Sequence, residues 1–332
     1  MRSFAYLRAN DVDSALQAIT SEPQAKFLGG GTNLVDLMRE GIEHPGTVID
    51  ITRLPLDGIE ELADGGVRIG ALVRNSTLAD NLLIRTRYPM LSQAILHGAS
   101  GQLRNMATVG GNLMQRTRCL YFYDEASACN KRDPGSGCAA IEGFNRGNAV
   151  LGTSTHCVAT HPSDMAVALA ALDATVEVKS TRGTRRIPLT DFHKLPGTTP
   201  HIETDLADDE LITAVVLPYL AVAANSCYRK VRDRASYAFA LVSVAGALDV
   251  GQDDHISAVR LALGGVGTKP WRAHEAERIL LGATPNDDTF HRAAAAELAP
   301  AVALSGNSFK IDLARRTIVA VLRRLLVEGS AA

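Results

Sequence analysis

The stretch from about 117 to 160 constrains the fold more than any other part of this chain. Aliphatic periodicity stops there, and Cys, Asn, Asp, Gly and Arg take over, as in Asn130-Lys131-Arg132-Asp133-Pro134-Gly135-Ser136-Gly137. A loop of this length has little core of its own, and inside a compact domain it is functional or disordered unless a cross-link supports it. Cys119, Cys129, Cys138 and Cys157 fall inside it, and the fifth cysteine, Cys227, stands far away. The intervals Cys119-x9-Cys129, Cys129-x8-Cys138 and Cys138-x18-Cys157 contain no C-x2-C of a zinc ribbon or bacterial ferredoxin. Spacing alone leaves zinc, iron–sulfur, and free or disulfide-bonded cysteines open. Cys227, beside Tyr228 in a strand-like run, reads as a small buried apolar residue.

The chain around this loop divides into units. With 332 residues and 46% hydrophobic content it exceeds the roughly 250–300 residues at which single cores stop growing, so two or three cooperative units are expected. Residues 1–60 read as a small α/β unit, with Asp11 or Asp13 capping a helix that turns Ala15, Leu16 and Ile19 to one side, and a strand through Val48, Ile49 and Ile51. Residues 61–187 add a strand from Val67, a helical stretch over Leu82 to Leu96, the cysteine loop, a helix from Asp164 capped by Ser163, and a strand from Thr175. Residues 188–210, rich in Pro and acidic side chains, read as a linker to a C-terminal α+β domain over 211–332, which opens with a strand over Leu211 to Leu217.

A net charge of −2 supplies no basic field for nucleic acid or anionic lipid. Met1 to Thr20 alternates charged and apolar residues without a secretory apolar run, and no stretch of about 18 apolar residues occurs, so neither self-directed export nor a membrane span is expected.

Two glycine segments carry the binding chemistry. In Lys26-Phe27-Leu28-Gly29-Gly30-Gly31-Thr32-Asn33-Leu34 the glycines follow a strand-like run and precede a helix-like one. Their free N–H groups, with Thr32 and Asn33, suit a pyrophosphate, although a plain turn explains the run as well. The second, Gln102 to Leu113, places Thr108 and Asn112 around Gly110-Gly111, where a strand bend is the simpler reading. Asp164 opens a helix, a place that favours a carboxylate anyway. Lys230, within Tyr228-Arg229-Lys230-Val231-Arg232-Asp233-Arg234, fits the solvated face of a strand.

Taken in order, these segments resemble the flavoprotein subunits of the xanthine dehydrogenase and carbon monoxide dehydrogenase family. Ile69-Gly70-Ala71-Leu72, the Ser163-Asp164 helix start, Lys230 in its basic run, and Leu263-Gly264-Gly265-Val266 before Lys269-Pro270-Trp271-Arg272 extend the likeness over nearly the whole chain. Within that family, Arg116-Thr117-Arg118-Cys119, Tyr121-Phe122-Tyr123-Asp124, Cys129-Asn130-Lys131-Arg132 and Thr160-His161-Pro162-Ser163-Asp164-Met165 are similar to FAD-binding subunits of bacterial periplasmic aldehyde oxidoreductases.

The resemblance implies a two-subdomain FAD-binding fold of the PCMH type followed by a C-terminal domain like that of the carbon monoxide dehydrogenase flavoprotein. It implies FAD held by residues 26–34, by Thr108, Gly111 and Asn112, by Asp164, and by Lys230 near the flavin. It further implies a [4Fe–4S] cluster on Cys119, Cys129, Cys138 and Cys157, and a heterotrimer whose partners hold molybdenum cofactor and [2Fe–2S] clusters. The expected function is electron transfer from aldehyde oxidation to an external acceptor, in the periplasm if a partner carries the export signal and in the cytoplasm otherwise. A free-standing flavin reductase and a zinc-stabilised scaffold are the competing readings.

Overall fold

The computed structural model describes residues 1–329. Its first unit runs β1 (Ala5–Arg8), α1 (Val12–Ser21), β2 (Ala25–Leu28), α2 (Leu34–Arg39) and β3 (Thr47–Asp50), and the strands form a parallel sheet in the order β1-β3-β2. Asp11 caps α1 by accepting from the Ser14 amide at 2.7 Å while its own amide donates to Ser14 Oγ at 3.1 Å. Ala15, Leu16 and Ile19 pack inward as the sequence requires. Because the strands are parallel, the turn after β2 lies at their carboxyl ends, where open α/β sheets leave room for a ligand.

The second unit comprises β4 (Ile59–Glu61), β5 (Val67–Gly70), α3 (Asn75–Asp80), α4 (Leu82–Arg87), α5 (Pro89–His97), α6 (Gly101–Met106), α7 (Val109–Leu113), α8 (Leu120–Tyr123), α9 (Asp164–Ala171), β6 (Thr175–Ser180), β7 (Gly183–Pro188), α10 (Leu189–Phe192) and β8 (Leu211–Leu217). The expected helix over Leu82 to Leu96 is two helices, since Pro89 has no amide to continue α4 and instead opens α5. The strands make an antiparallel sheet ordered β4-β5-β8-β6-β7. That order corrects one boundary: the strand assigned to the C-terminal domain, Leu211–Leu217, pairs with β5 and β6, where its apolar residues complete the middle core. Residues 188–210 are correspondingly no free linker, because α10 and the Glu203 ion pairs bind them to the second unit.

The C-terminal unit contains β9 (Ser226–Val231), β10 (Val242–Val250), β11 (Ile256–Gly264), β12 (Trp271–Arg272), α11 (His274–Leu280), α12 (Asp287–Glu297) and α13 (Phe309–Gly329). Its antiparallel sheet, ordered β12-β11-β10-β9, packs on α13. At Gly246 the strand and helix approach so closely that a Cβ would meet Val321 at 2.6 Å. Residues 330–332, the end of the assigned 211–332 domain, lie outside the described residues. Among those described, no helix is long and apolar enough to cross a membrane.

The cysteine loop is better supported than its composition suggests. Its second half is pinned to the C-terminal unit: Val150 and Leu151 amides donate to Val266 O, Asn307 Nδ2 donates to Asn148 O and Ala149 O, and the buried Lys310 ammonium donates to Gly147 O, Asn148 O and Gly265 O. Side chains and main chain of the C-terminal unit thus replace the core that the loop lacks.

Candidate functional site

The two glycine segments meet. Gly29, Gly30 and Gly31 follow β2, and Gly31 takes φ +73°, a conformation that favours glycine. The second segment is α6 and α7, not a bent strand; Thr108 caps α7 by accepting from the Gly111 amide at 3.2 Å. A Cβ on Gly29 would lie 3.1 Å from Thr108 Oγ1, and one on Gly30 would lie 2.7 Å from the Met106 carbonyl carbon and closer still to its oxygen. Arg74 fixes that carbonyl by donating to it. At Gly30, main chain therefore lies against main chain.

At the ends of the first segment, Lys26 is exposed on β2, Phe27 and Leu28 are half-buried, and Leu34 opens α2. Asn33 Oδ1 accepts from the Arg116 amide at 3.0 Å, and Asn33 Nδ2 is buried with only a loose approach to Tyr123. A buried amide donor without a proper acceptor beside a glycine loop suits a polar ligand. No hydrogen bond of the Thr32 side chain enters this arrangement.

Asn112 links this junction to the start of α9. Ser163 accepts from the Ala166 amide at 3.0 Å, as an N-cap does, and donates to Asn112 Oδ1 at 2.6 Å. Asp164 then accepts from Tyr228 OH at 2.5 Å on one oxygen and from Lys230 Nζ at 2.7 Å on the other. The Lys230 and Asp164 side chains are 1% and 8% exposed, so Lys230 is not on a solvated strand face. Period-two alternation turns Tyr228 and Lys230 together toward α9 and leaves Arg229 exposed. Lys230 also donates to His97 O at 3.1 Å. Burial, and then the Asp164 charge, hold the Tyr228 hydroxyl well above its ordinary pKa, so it remains a donor; burial also lowers His97.

Ser163 and Asp164 line a cleft of about 360 Å³, walled on the opposite side by Ala238–Leu241 and Gly264–Gly265 of the C-terminal unit. The glycine loop 29–31 is not part of its lining, and Cys119 is.

Cys119, Cys129, Cys138 and Cys157 all line one small cavity between Thr117, Phe122, Ala140 and Ala159, and none is in a disulfide. Cys129 and Cys138 face each other in an antiparallel bridge. Several N–H groups aim at sulfur: Asn148 Nδ2 toward Cys119 at 3.6 Å, the Ala159 amide toward Cys157 at 3.5 Å, and the Ala140 and Val158 amides toward Cys138. Burial pushes the Cys157 thiol up to about 11, opposed first by Lys131. Among the described residues, no three His, Cys, Asp or Glu side chains converge closely enough to hold a metal ion. Cys227 is fully buried in β9, away from this group.

A partly buried charge network that the sequence did not advertise joins the two regions. Arg116 bonds Glu43 at 2.7 Å and Glu203 at 2.6 Å, and stacks its guanidinium over Phe122; Glu203 also pairs with Lys131 at 3.3 Å. No local pattern could have found it, since the acids lie far from Arg116 in sequence.

Comparison with known proteins agrees with this architecture. Residues 2–220 match the family described as FAD binding domain in molybdopterin dehydrogenase, and residues 226–325 match the CO dehydrogenase flavoprotein C-terminal domain. The aldehyde oxidoreductase FAD-binding subunit PaoB of Escherichia coli (strain K12) is 53% identical over 324 residues, covering 97% of this chain and 98% of the relative. The glyceraldehyde dehydrogenase medium chain of Sulfolobus acidocaldarius is 30% identical, covering 86% and 83%. In fold, quinoline 2-oxidoreductase from Pseudomonas putida 86 superposes with a TM-score of 0.76 at 22% identity over 99% of this chain and 98% of that one. Carbon monoxide dehydrogenase from Hydrogenophaga pseudoflava gives 0.75 at 23% identity over 98% of each. The chain belongs to the FAD-binding subunits of the molybdopterin dehydrogenases, in the xanthine and carbon monoxide dehydrogenase family.

Proposed function

We propose that this chain is the electron-transfer subunit of a molybdenum-dependent aldehyde oxidoreductase and holds FAD across the junction of its two glycine segments. The observation that carries this reading is the main-chain contact of Gly30 with Met106, which brings the two segments together beside the orphaned Asn33 Nδ2. Residues 26–34 would cradle the pyrophosphate, aided by Thr108, Gly111 and Asn112. The Asp164 carboxylate, with lone pairs left beyond its two internal donors, would accept from the cofactor. Lys230, 2.7 Å from that carboxylate, would hold it in place near the flavin. FAD supplies the redox chemistry; the protein binds it, orients it and sets its electrostatics.

The substrate class comes from likeness to the aldehyde oxidoreductase subunit of Escherichia coli. In this account the aldehyde is oxidised on a molybdenum partner, a second partner holds [2Fe–2S] clusters, and electrons leave the heterotrimer from this chain to an external acceptor. The chain reaches the periplasm with a partner that carries the export signal. Cell fractionation with and without the partner subunits tests that location.

What supports a [4Fe–4S] cluster is that the four cysteines line one cavity. A cluster spreads its four ligands, and N–H groups aimed at sulfur favour thiolates and tune such centres. Cys119, Cys129, Cys138 and Cys157 would hold it. The test is the holoprotein's absorption spectrum with iron, zinc, acid-labile sulfide and flavin analysis. Flavin with iron and sulfide supports the reading, whereas a colourless zinc protein selects the scaffold. Turnover of a reduced nicotinamide by the chain alone selects the free-standing reductase.

A further inference from the structure

We infer that Lys131 is an electrostatic positioning residue for the four-cysteine cavity, its partly buried ammonium placed to raise the reduction potential of the centre the thiolates hold. The inference rests on the iron–sulfur reading of that cavity. Among the residues lining it, Lys131 supplies the one fixed charge; the other linings are cysteines, neutral polar groups, His156 and apolar side chains. Its side chain is 12% exposed, and its ammonium is held by Pro200 O at 3.0 Å and Glu203 at 3.3 Å.

The Lys131 charge belongs to a linked set of ion pairs. Glu203 divides its carboxylate between Lys131 and Arg116, and Arg116 is shared again with Glu43. Two cations and two anions balance, with Lys131 as the member that lines the cavity. In a poorly solvated site such a charge is weakly screened. The potentials of iron–sulfur centres follow net charge and hydrogen bonding at the sulfurs, so a cation on the cavity wall favours the reduced, more negative state.

Spectroscopic redox titration of the cluster in the assembled complex tests this, with iron content measured on each sample. Lys131→Gln is expected to shift the oxidised-to-reduced ratio at fixed potential about tenfold toward oxidised, equivalent to a midpoint lower by about 59 mV for a one-electron couple. Glu203→Gln, which leaves the network with excess positive charge, should shift it the other way, and Lys131→Arg should stay near wild type. Opposite signs in the two neutralising variants are not expected of a packing defect. Full iron with unmoved midpoints, or shifts of the same sign in both, would overturn the inference alone. A wild-type protein without iron would overturn the cluster reading and this inference with it.

Discussion

Replacing Gly30 tests the cofactor junction at its tightest point. An added Cβ would stand 2.7 Å from the Met106 carbonyl carbon and 3.1 Å from Ala107 Cα. Both neighbours are main chain, and Arg74 holds the Met106 carbonyl from the other side, so no flexible side chain can yield. The two glycine segments must separate, and overpacking of this kind costs about 1–3 kcal/mol. If the strain falls mainly on the bound form, Gly30→Ala weakens FAD binding by about tenfold or more, at about 1.4 kcal/mol per tenfold. Gly30→Val, branched at the same atom, does worse. Gly101→Ala is the control, because nothing lies within 4 Å of its added Cβ. Flavin released per chain, together with urea unfolding of each variant, reads the effect. Wild-type flavin content in Gly30→Val, or equal loss in Gly101→Ala, would refute the assignment.

Lys230→Met strands the Asp164 carboxylate in a buried site and should destabilise by about 3–5 kcal/mol; adding Asp164→Asn should recover part of that loss in urea titrations, whereas strict additivity would show no coupling. Cys129→Ser should lower bound iron and expose the 117–160 loop to proteases while flavin stays bound, and Cys227→Ser should leave iron unchanged; equal iron loss in both would undo the ligand assignment. Burial lowers His193 from 6.5 to about 4, so between those values the unfolded chain binds a proton that the folded chain refuses, and stability rises with pH there. Its contribution, at most about 3 kcal/mol, is complete above about pH 6.5 and is lost as pH falls toward 4. His193→Gln should flatten that part of a urea-midpoint profile, and an unchanged slope would contradict the argument.

Legibility of this fold followed the range of the interactions involved. Asp11 and Ser163 were readable as helix caps because the groups they bond lie within three residues. The strand Leu211–Leu217 was readable as a strand but not as a member of the middle sheet, since its partners β5 and β6 are distant in sequence. The helix Asp287–Glu297 was missed although Asn286 caps it through the Thr289 amide; its alanines give little apolar contrast around the helix. At the site, the glycine segments and cysteines announced themselves by composition. Lys230 misled, because the flanking Arg229 and Arg232 suggest a solvated edge, and only the packing of β9 on α5 and the Asp164 carboxylate at the start of α9 turn its ammonium inward. The Arg116–Glu203–Lys131 network had no local signature at all.

The proposed function places both flavin and an iron–sulfur cluster on one chain. The most direct measurement is the cofactor content of the purified complex, compared between wild type and Cys129→Ser. About one FAD per copy of this chain is expected in both, and in the variant a loss of about four iron and four sulfide per copy. Wild-type protein with flavin whose iron content does not change on Cys129→Ser would contradict it.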